Sequence, residues 1–224
     1  DSFSQSIPDQ INCLTQVFDW VREGRCSALT GNHENSYWVE GQQASGYHNA
    51  TAVHMASLRE TGQKFLRPAL LIDNILVTHA GLTRPLYERV RKLYPKGDLA
   101  SVLETLSEDK GSFLWDIGYC RRGRAPDGGI WWCDWNREFE PVPELHQVFG
   151  HSSSRHTTQW PEEQVGTIRF MRSTRSLSFN IDSLSYKGTW DILTYDQKRF
   201  AVQRFVLNAE GDGYTNVTTY PAAL

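Results

Sequence analysis

Four side chains stand out for the chemistry they could share: Asn32, His33, His79 and His151. Each falls where an apolar run gives way to glycine. "CSALT" leads into "GNHE" (31–34), "ILVTHAG" surrounds His79, and "QVFGHSSSR" surrounds His151. Imidazole nitrogens and a side-chain amide oxygen suit borderline divalent ions such as Mn, Fe, Zn or Co. Two such ions, about 3.5–4 Å apart, can clamp a phosphate and lower the pKa of a water between them. His33, beside Asn32, would then be free to protonate a leaving oxygen, which is general-acid work. Taken singly, each fragment is ordinary. A histidine at a strand end is more often a hydrogen-bonded structural residue than a ligand, and Gly-Asn favours a turn. Three such fragments in order are harder to explain as turns.

Loops can pool their side chains only if strands end side by side. The chain supplies candidates for such strands. Residues 6–24 read as a helix, with Ser6 as cap, Pro8 and Asp9 in the first turn and Gly24 at the end. Ile11, Leu14, Val17, Phe18 and Val21 fall on one face. Residues 26–30 then predict a short buried strand, with "GNHE" on the loop after it, where α/β folds carry chemistry. A second helix is expected over 50–62, burying Val53, Met55, Ala56 and Leu58. Residues 69–81 read as a hairpin turned at Asp73-Asn74. Helices around 85–94 and 98–107 follow, with leucines and valines at helical spacing. Residues 108–144 are irregular and rich in Gly, Arg and Trp, and loops of that length are usually functional or mobile. "QVFGHSSSR" predicts a strand, and "SLSFNID", "TWDILTYD" and "FAVQRFVLN" predict more, in a mostly antiparallel sheet.

The 224 residues, 39% of them hydrophobic, provide for one sizeable α/β domain or two small ones, with ample material for a core. A net charge of −3 gives no basic surface for nucleic acid or an acidic membrane. No apolar run reaches bilayer length and the opening residues do not read as a signal peptide, so the expected location is cytoplasmic. Cys13, Cys26, Cys120 and Cys133 are too scattered to suggest a zinc knuckle or a disulfide framework. The sequons at Asn49 and Asn216 read as chance matches in such a setting.

"GNHE" (31–34), "VTHAG" (77–81) and "VFGH" (148–151), in this order, resemble the calcineurin-like metallophosphoesterases. The closest resemblance is to the phosphoprotein phosphatase and diadenosine tetraphosphate hydrolase branch, and it covers most of the chain. It implies an α/β (α+β) fold, a four-layered sandwich of two mixed β-sheets flanked by helices, as a single domain over residues 1–224. It also implies two divalent metal ions (Mn, Fe, Zn or Co), with Asn32, His79 and His151 binding the second, and His33 as general acid. Asp1 matches the aspartate that orients the acid, and Ser2 stands where the family has a phosphate-binding arginine. The family's DxH motif and bridging GD aspartate would lie upstream of Asp1, so the resemblance places the first strand and first-metal motifs outside residues 1–224. An arginine from the later loop is expected on the phosphate. Arg121, Arg122, Arg124 and Arg137 are the choices, with Arg122 and Arg137 preferred. The tryptophans Trp115, Trp131, Trp132 and Trp135 could stack on a base, though covering the core is the commoner use. Asp182 matches a terminal-strand signature and reads as structural.

The function implied is hydrolysis of a phosphorylated substrate, protein or nucleotide, by a water nucleophile, with neither membrane nor nucleic acid as partner. The alternative is a catalytically impaired binding module on the same fold. Two divalent cations repel strongly and need an anionic bridge to hold both, and Asn32 and two neutral imidazoles bring no negative charge. Residues 1–224 are therefore expected to bind one metal weakly and to turn over little ester.

Overall fold

The first helix of the computed structural model, which describes residues 6–153, 162–182, 189–196, 198–207 and 214–222, starts where its sequence says it should. In α1 (Ile7–Arg22) the Ser6 hydroxyl accepts from the Asp9 N–H, and Gly24 (φ 70°) turns the chain beyond the end. Phe18 is buried, and Ile11 and Leu14 pack partly beneath it. The strand expected over 26–30 is shorter: only β1 (Ala28–Leu29) pairs, in parallel, with β2 (Leu66–Arg67). "GNHE" is not a loop. Gly31 caps α2 (Asn32–Trp38), so Asn32 and His33 sit in the first turn of a helix.

The helix expected over 50–62 is two helices, α3 (Asn49–Ser57) and α4 (Arg59–Phe65), parted at Leu58. Thr51 and Met55, four residues apart, face inward. Val53, placed in the core by the sequence reading, lies on the opposite side and is 74% exposed; Ala56 is exposed as well. The hairpin is as expected. β3 (Ala69–Ile72) and β4 (Ile75–Thr78) pair antiparallel, and Asp73 takes the left-handed turn conformation (φ 53°). α5 (Arg84–Leu93) and α6 (Leu99–Glu108) bury Leu86, Val90, Leu99, Val102 and Leu103. Residues 109–145 hold only two 3₁₀ turns, yet all four of their tryptophans are buried.

The remaining strands are β5 (His146–Phe149), β6 (Glu163–Val165), β7 (Ile168–Ser173), β8 (Ser176–Asn180), β9 (Thr189–Asp196), β10 (Arg199–Leu207) and β11 (Tyr214–Ala222). Six of the strands form one mixed sheet in the order β3-β4-β5-β8-β7-β6, with β4, β5 and β8 parallel. Apart from the small β1-β2 pair, the remaining described strands form a sheet β11-β10-β9, which is antiparallel rather than mixed. The two-residue step from β9 to β10 permits only that pairing.

Strand alternation divides the core. On β4, Leu76 faces the helices with Leu86, Val90 and Leu103. Ile75 and Val77 face Phe200 and Val202 of the antiparallel sheet. The fold is thus mixed α/β, with six α-helices among the described residues, and the mixed sheet lies between helices and a second sheet. No helix among the described residues is long and apolar enough to cross a membrane.

Candidate functional site

β4 and β5 are parallel neighbours, with Val77 beside Val148, so the residues that follow them emerge together. His79 follows β4 and His151 follows β5. The Gly150 N–H donates to the His79 carbonyl at 2.9 Å, which ties the two loops by their backbones. Gly81 (φ 99°) completes the first loop; a Cβ there would meet the Phe149 ring at 3.0 Å. The side chain of Gln147, fully buried, bonds both the N–H and the C=O of Leu82 and so extends the pairing past the strand end. Beneath both loops Trp135, Phe139 and Phe149 pack with ring centroids 4.6–5.4 Å apart.

The third element is the first turn of α2. The Glu34 carboxylate accepts the Gly31 N–H at 2.9 Å, which leaves Glu34 as a helix cap. Gly31 itself touches His79. A Cβ on Gly31 would lie 3.0 Å from His79 Cε1 and 2.7 Å from a Glu34 carboxylate oxygen. From behind, the Trp131 indole N–H reaches the Thr30 carbonyl and hydroxyl, and Trp115 stacks on Trp131 at 3.8 Å. The long irregular segment therefore braces the site, and its tryptophans cover core.

The outcome is a convergence of three side chains. His79 Nε2 lies 2.8 Å from Asn32 Oδ1 and 3.1 Å from His151 Nδ1. Burial holds both imidazoles neutral. It lowers the pKa of His79 to about 4, with further lowering from the nearby charges of His33 and Arg121. His151 is lower still, by burial first and then by His79, Arg121 and His33. His146 is a contrast: its Nδ1 simply accepts the Leu177 N–H, a satisfied structural histidine.

The arrangement fits a divalent ion on two counts. His79 Nε2 offers either one N–H or one lone pair, so it serves one of the two contacts well and the other poorly, whereas a cation among the three atoms would serve them all. Donor atoms bound at 2.0–2.1 Å and at right angles lie about 3 Å apart, close to both distances seen. All three donors are uncharged. Among the described residues, no three His, Cys, Asp or Glu side chains gather to hold a metal. The set here is instead two imidazoles and an amide oxygen.

His33 is exposed and makes no side-chain hydrogen bond to the described residues. It lines both cavities that flank the cluster. One, of about 740 Å³, is walled by Asn32, Tyr47, Arg121, Arg122, Trp132 and His151. The other, of about 490 Å³, runs past Leu29, Val77, His79, Val148 and Asp182. Asp1 lies outside the described residues.

Arg122 is exposed, left-handed (φ 64°), and on the wall of the larger cavity. Arg137 lines a smaller cavity of about 290 Å³ on another side of His151, with Asp134 and Asp182. Arg121 belongs to both of these cavities, and it is the arginine whose charge bears on both imidazoles. It donates to the Ser152 hydroxyl at 2.8 Å and pairs with Asp134 at 3.0 Å. Nothing in "CRRGR" singles it out, because the choice depends on where the 3₁₀ turn ends. Asp182 has its pKa raised by burial, against the pull of Arg169 and Arg121.

Comparison of the chain with family models, with curated proteins and with solved structures finds no match. The functional reading therefore rests on the geometry and on the motifs themselves.

Proposed function

We propose that this chain is a metal-dependent phosphoesterase of the calcineurin-like kind, hydrolysing a phosphomonoester, of a protein or a small molecule, or a nucleoside polyphosphate. The observation that carries the proposal is the meeting of Asn32 Oδ1, His79 Nε2 and His151 Nδ1 from three separate loops and turns. The packing of the mixed sheet between helices and a second sheet supports the four-layered sandwich reading of the fold.

In this reading Asn32, His79 and His151 hold one divalent ion (Mn, Fe, Zn or Co). When bound, such an ion supplies the charge that draws in a phosphate and acidifies water. Arg121, fixed by Asp134 and Ser152, presents a guanidinium to the phosphate oxygens, whose geometry its fork matches. Arg122 lines the larger cavity and Arg137 the smallest, each together with Arg121. His33, exposed between the two cavities, delivers a proton to the leaving oxygen. A second ion requires an anionic bridge. The three neutral ligands do not provide it, so a carboxylate from outside this set must.

That last point also favours a second reading, a module of the same fold that binds a phosphorylated partner without turnover. Protein made from the complete open reading frame and supplied with Mn²⁺ separates the two. The enzyme reading expects release of phosphate from p-nitrophenyl phosphate or a nucleoside polyphosphate, abolished by chelation and by His79→Ala. No release from either ester, with metal bound, would leave only the binding module.

A further inference from the structure

His151 is held in a conformation that a histidine does not choose for itself. Its φ of 74° lies in the left-handed region, where a residue with a Cβ is strained. Such strain persists only when the surroundings over-determine it. On one side Gly150 is bonded to the His79 carbonyl. On the other side Ser152 is gripped at both its polar groups. Its carbonyl accepts from Arg169 Nη2 at 2.9 Å and from Asn180 Nδ2 at 2.8 Å. Its hydroxyl accepts from the Trp135 N–H at 3.0 Å and from Arg121 Nη2 at 2.8 Å.

The central member of this grip is unexpected. Arg169 lies on β7, is 3% exposed, and faces β8 and the base of the His151 loop rather than solvent. Its other arm donates to Asn136 Oδ1 at 2.9 Å, Glu162 balances its charge at 3.6 Å, and its guanidinium lies over the Trp135 ring. A buried charge is a poor way to add stability, since apolar residues of similar volume usually serve as well. A planar fork bonded to two acceptors is, however, a good way to fix the position of a carbonyl.

We propose that Arg169 is a positioning residue for His151: with Asn180 it fixes the Ser152 carbonyl and so keeps the left-handed turn that aims His151 Nδ1 at His79 Nε2 and Asn32 Oδ1. The inference rests on the reading of His151 as a metal ligand. Arg169 reaches the ion only through the backbone it holds, in the way outer partners of metal ligands commonly act.

The test is titration with Co²⁺ alone, followed by calorimetry and by the visible bands of the bound ion, on the whole chain and its variants. Arg169→Lys keeps the charge but loses the fork. It is expected to weaken Co²⁺ binding by about 10- to 100-fold and to alter the bands. Asn180→Ala, which removes the other donor to the same carbonyl, should weaken it in the same direction. His151→Ala, measured alongside, tests the ligand reading itself. If His151→Ala binds Co²⁺ as tightly as the unaltered chain, the ligand reading fails and this inference falls with it. If His151→Ala loses binding while a folded Arg169→Lys keeps both affinity and bands, only the positioning role is overturned. Should Arg169→Lys not fold, as judged by near-ultraviolet circular dichroism, Asn180→Ala decides, and unchanged affinity there overturns the proposal.

Discussion

His79 Nε2 and His151 Nδ1 face each other across 3.1 Å, two imidazoles at 64° between ring planes, carried by the ends of parallel neighbours. Both are held neutral by burial. This has a consequence for acid stability in protein freed of metal by a chelator. In the unfolded chain His79 takes up a proton near its ordinary 6.5, but in the folded chain not until about 4. Unfolded protein therefore binds more protons between those values, and stability must fall as pH falls through that window. Urea midpoints at pH 7 and pH 4.5 should differ more for the unaltered chain than for His79→Gln. Equal differences would mean that the imidazole is not buried as described.

Gly31 is the tightest neighbour of the cluster. An alanine there would crowd Glu34 and the His79 ring at 2.7 and 3.0 Å. Gly31→Ala should displace the Glu34 cap, lowering stability by about 1 kcal/mol, and turn His79 away from Asn32. Thermal melting and metal titration check both effects. Unchanged metal affinity in the variant would show that the ring has room to move.

The proposed mechanism gives His33 the role of acid, and among the described residues its side chain makes no hydrogen bond. In active protein His33→Asn should leave metal content intact. It should slow esters with poor leaving groups far more than p-nitrophenyl phosphate, whose leaving group hardly needs a proton. Equal losses on both substrates would remove His33 from the acid role.

Much of this site was legible because its carriers are local. The hairpin turned at Asp73, the Ser6 cap, and the glycines after strand ends are signals within a few residues. Asn32, His79 and His151 could be named as a group for that reason. What escaped depends on long-range packing. The placement of "GNHE" on a helix turn depends on β1 pairing for only two residues, which no local pattern reveals. Val53 was misplaced because Thr51, a polar residue, shares the inward face with Met55. Arg121 and Arg169 were not distinguished from solvated arginines, because their partners Asp134, Ser152 and Asn136 lie on other segments.

Away from the site, Asp191 on β9 joins the antiparallel sheet to the turn between β6 and β7. Its carboxylate accepts from Arg204 Nε and Nη2 at 2.8 Å each, and from the Thr167 N–H and hydroxyl. The Arg204 bond, and then those from Thr167, hold its pKa below the usual carboxylate value despite burial. A lowered folded pKa means stability that is present above the unfolded value near 4 and lost as pH falls through the folded one. Asp191→Asn should destabilise the chain by about 1.5–3 kcal/mol at pH 7, because it weakens the charge-assisted bonds from Arg204 and Thr167. The gap should shrink below pH 4. A gap that stays constant with pH would separate this residue from the acid response.

The central claim is that Asn32, His79 and His151 together hold a divalent ion. Calorimetric titration of residues 1–224 with Zn²⁺ or Mn²⁺, beside Asn32→Ala, His79→Ala and His151→Ala, tests it most directly. One weakly bound ion per chain is expected, with binding lost or sharply weakened in each variant. Undiminished binding in any of the three, or no binding by the unaltered chain, would contradict it.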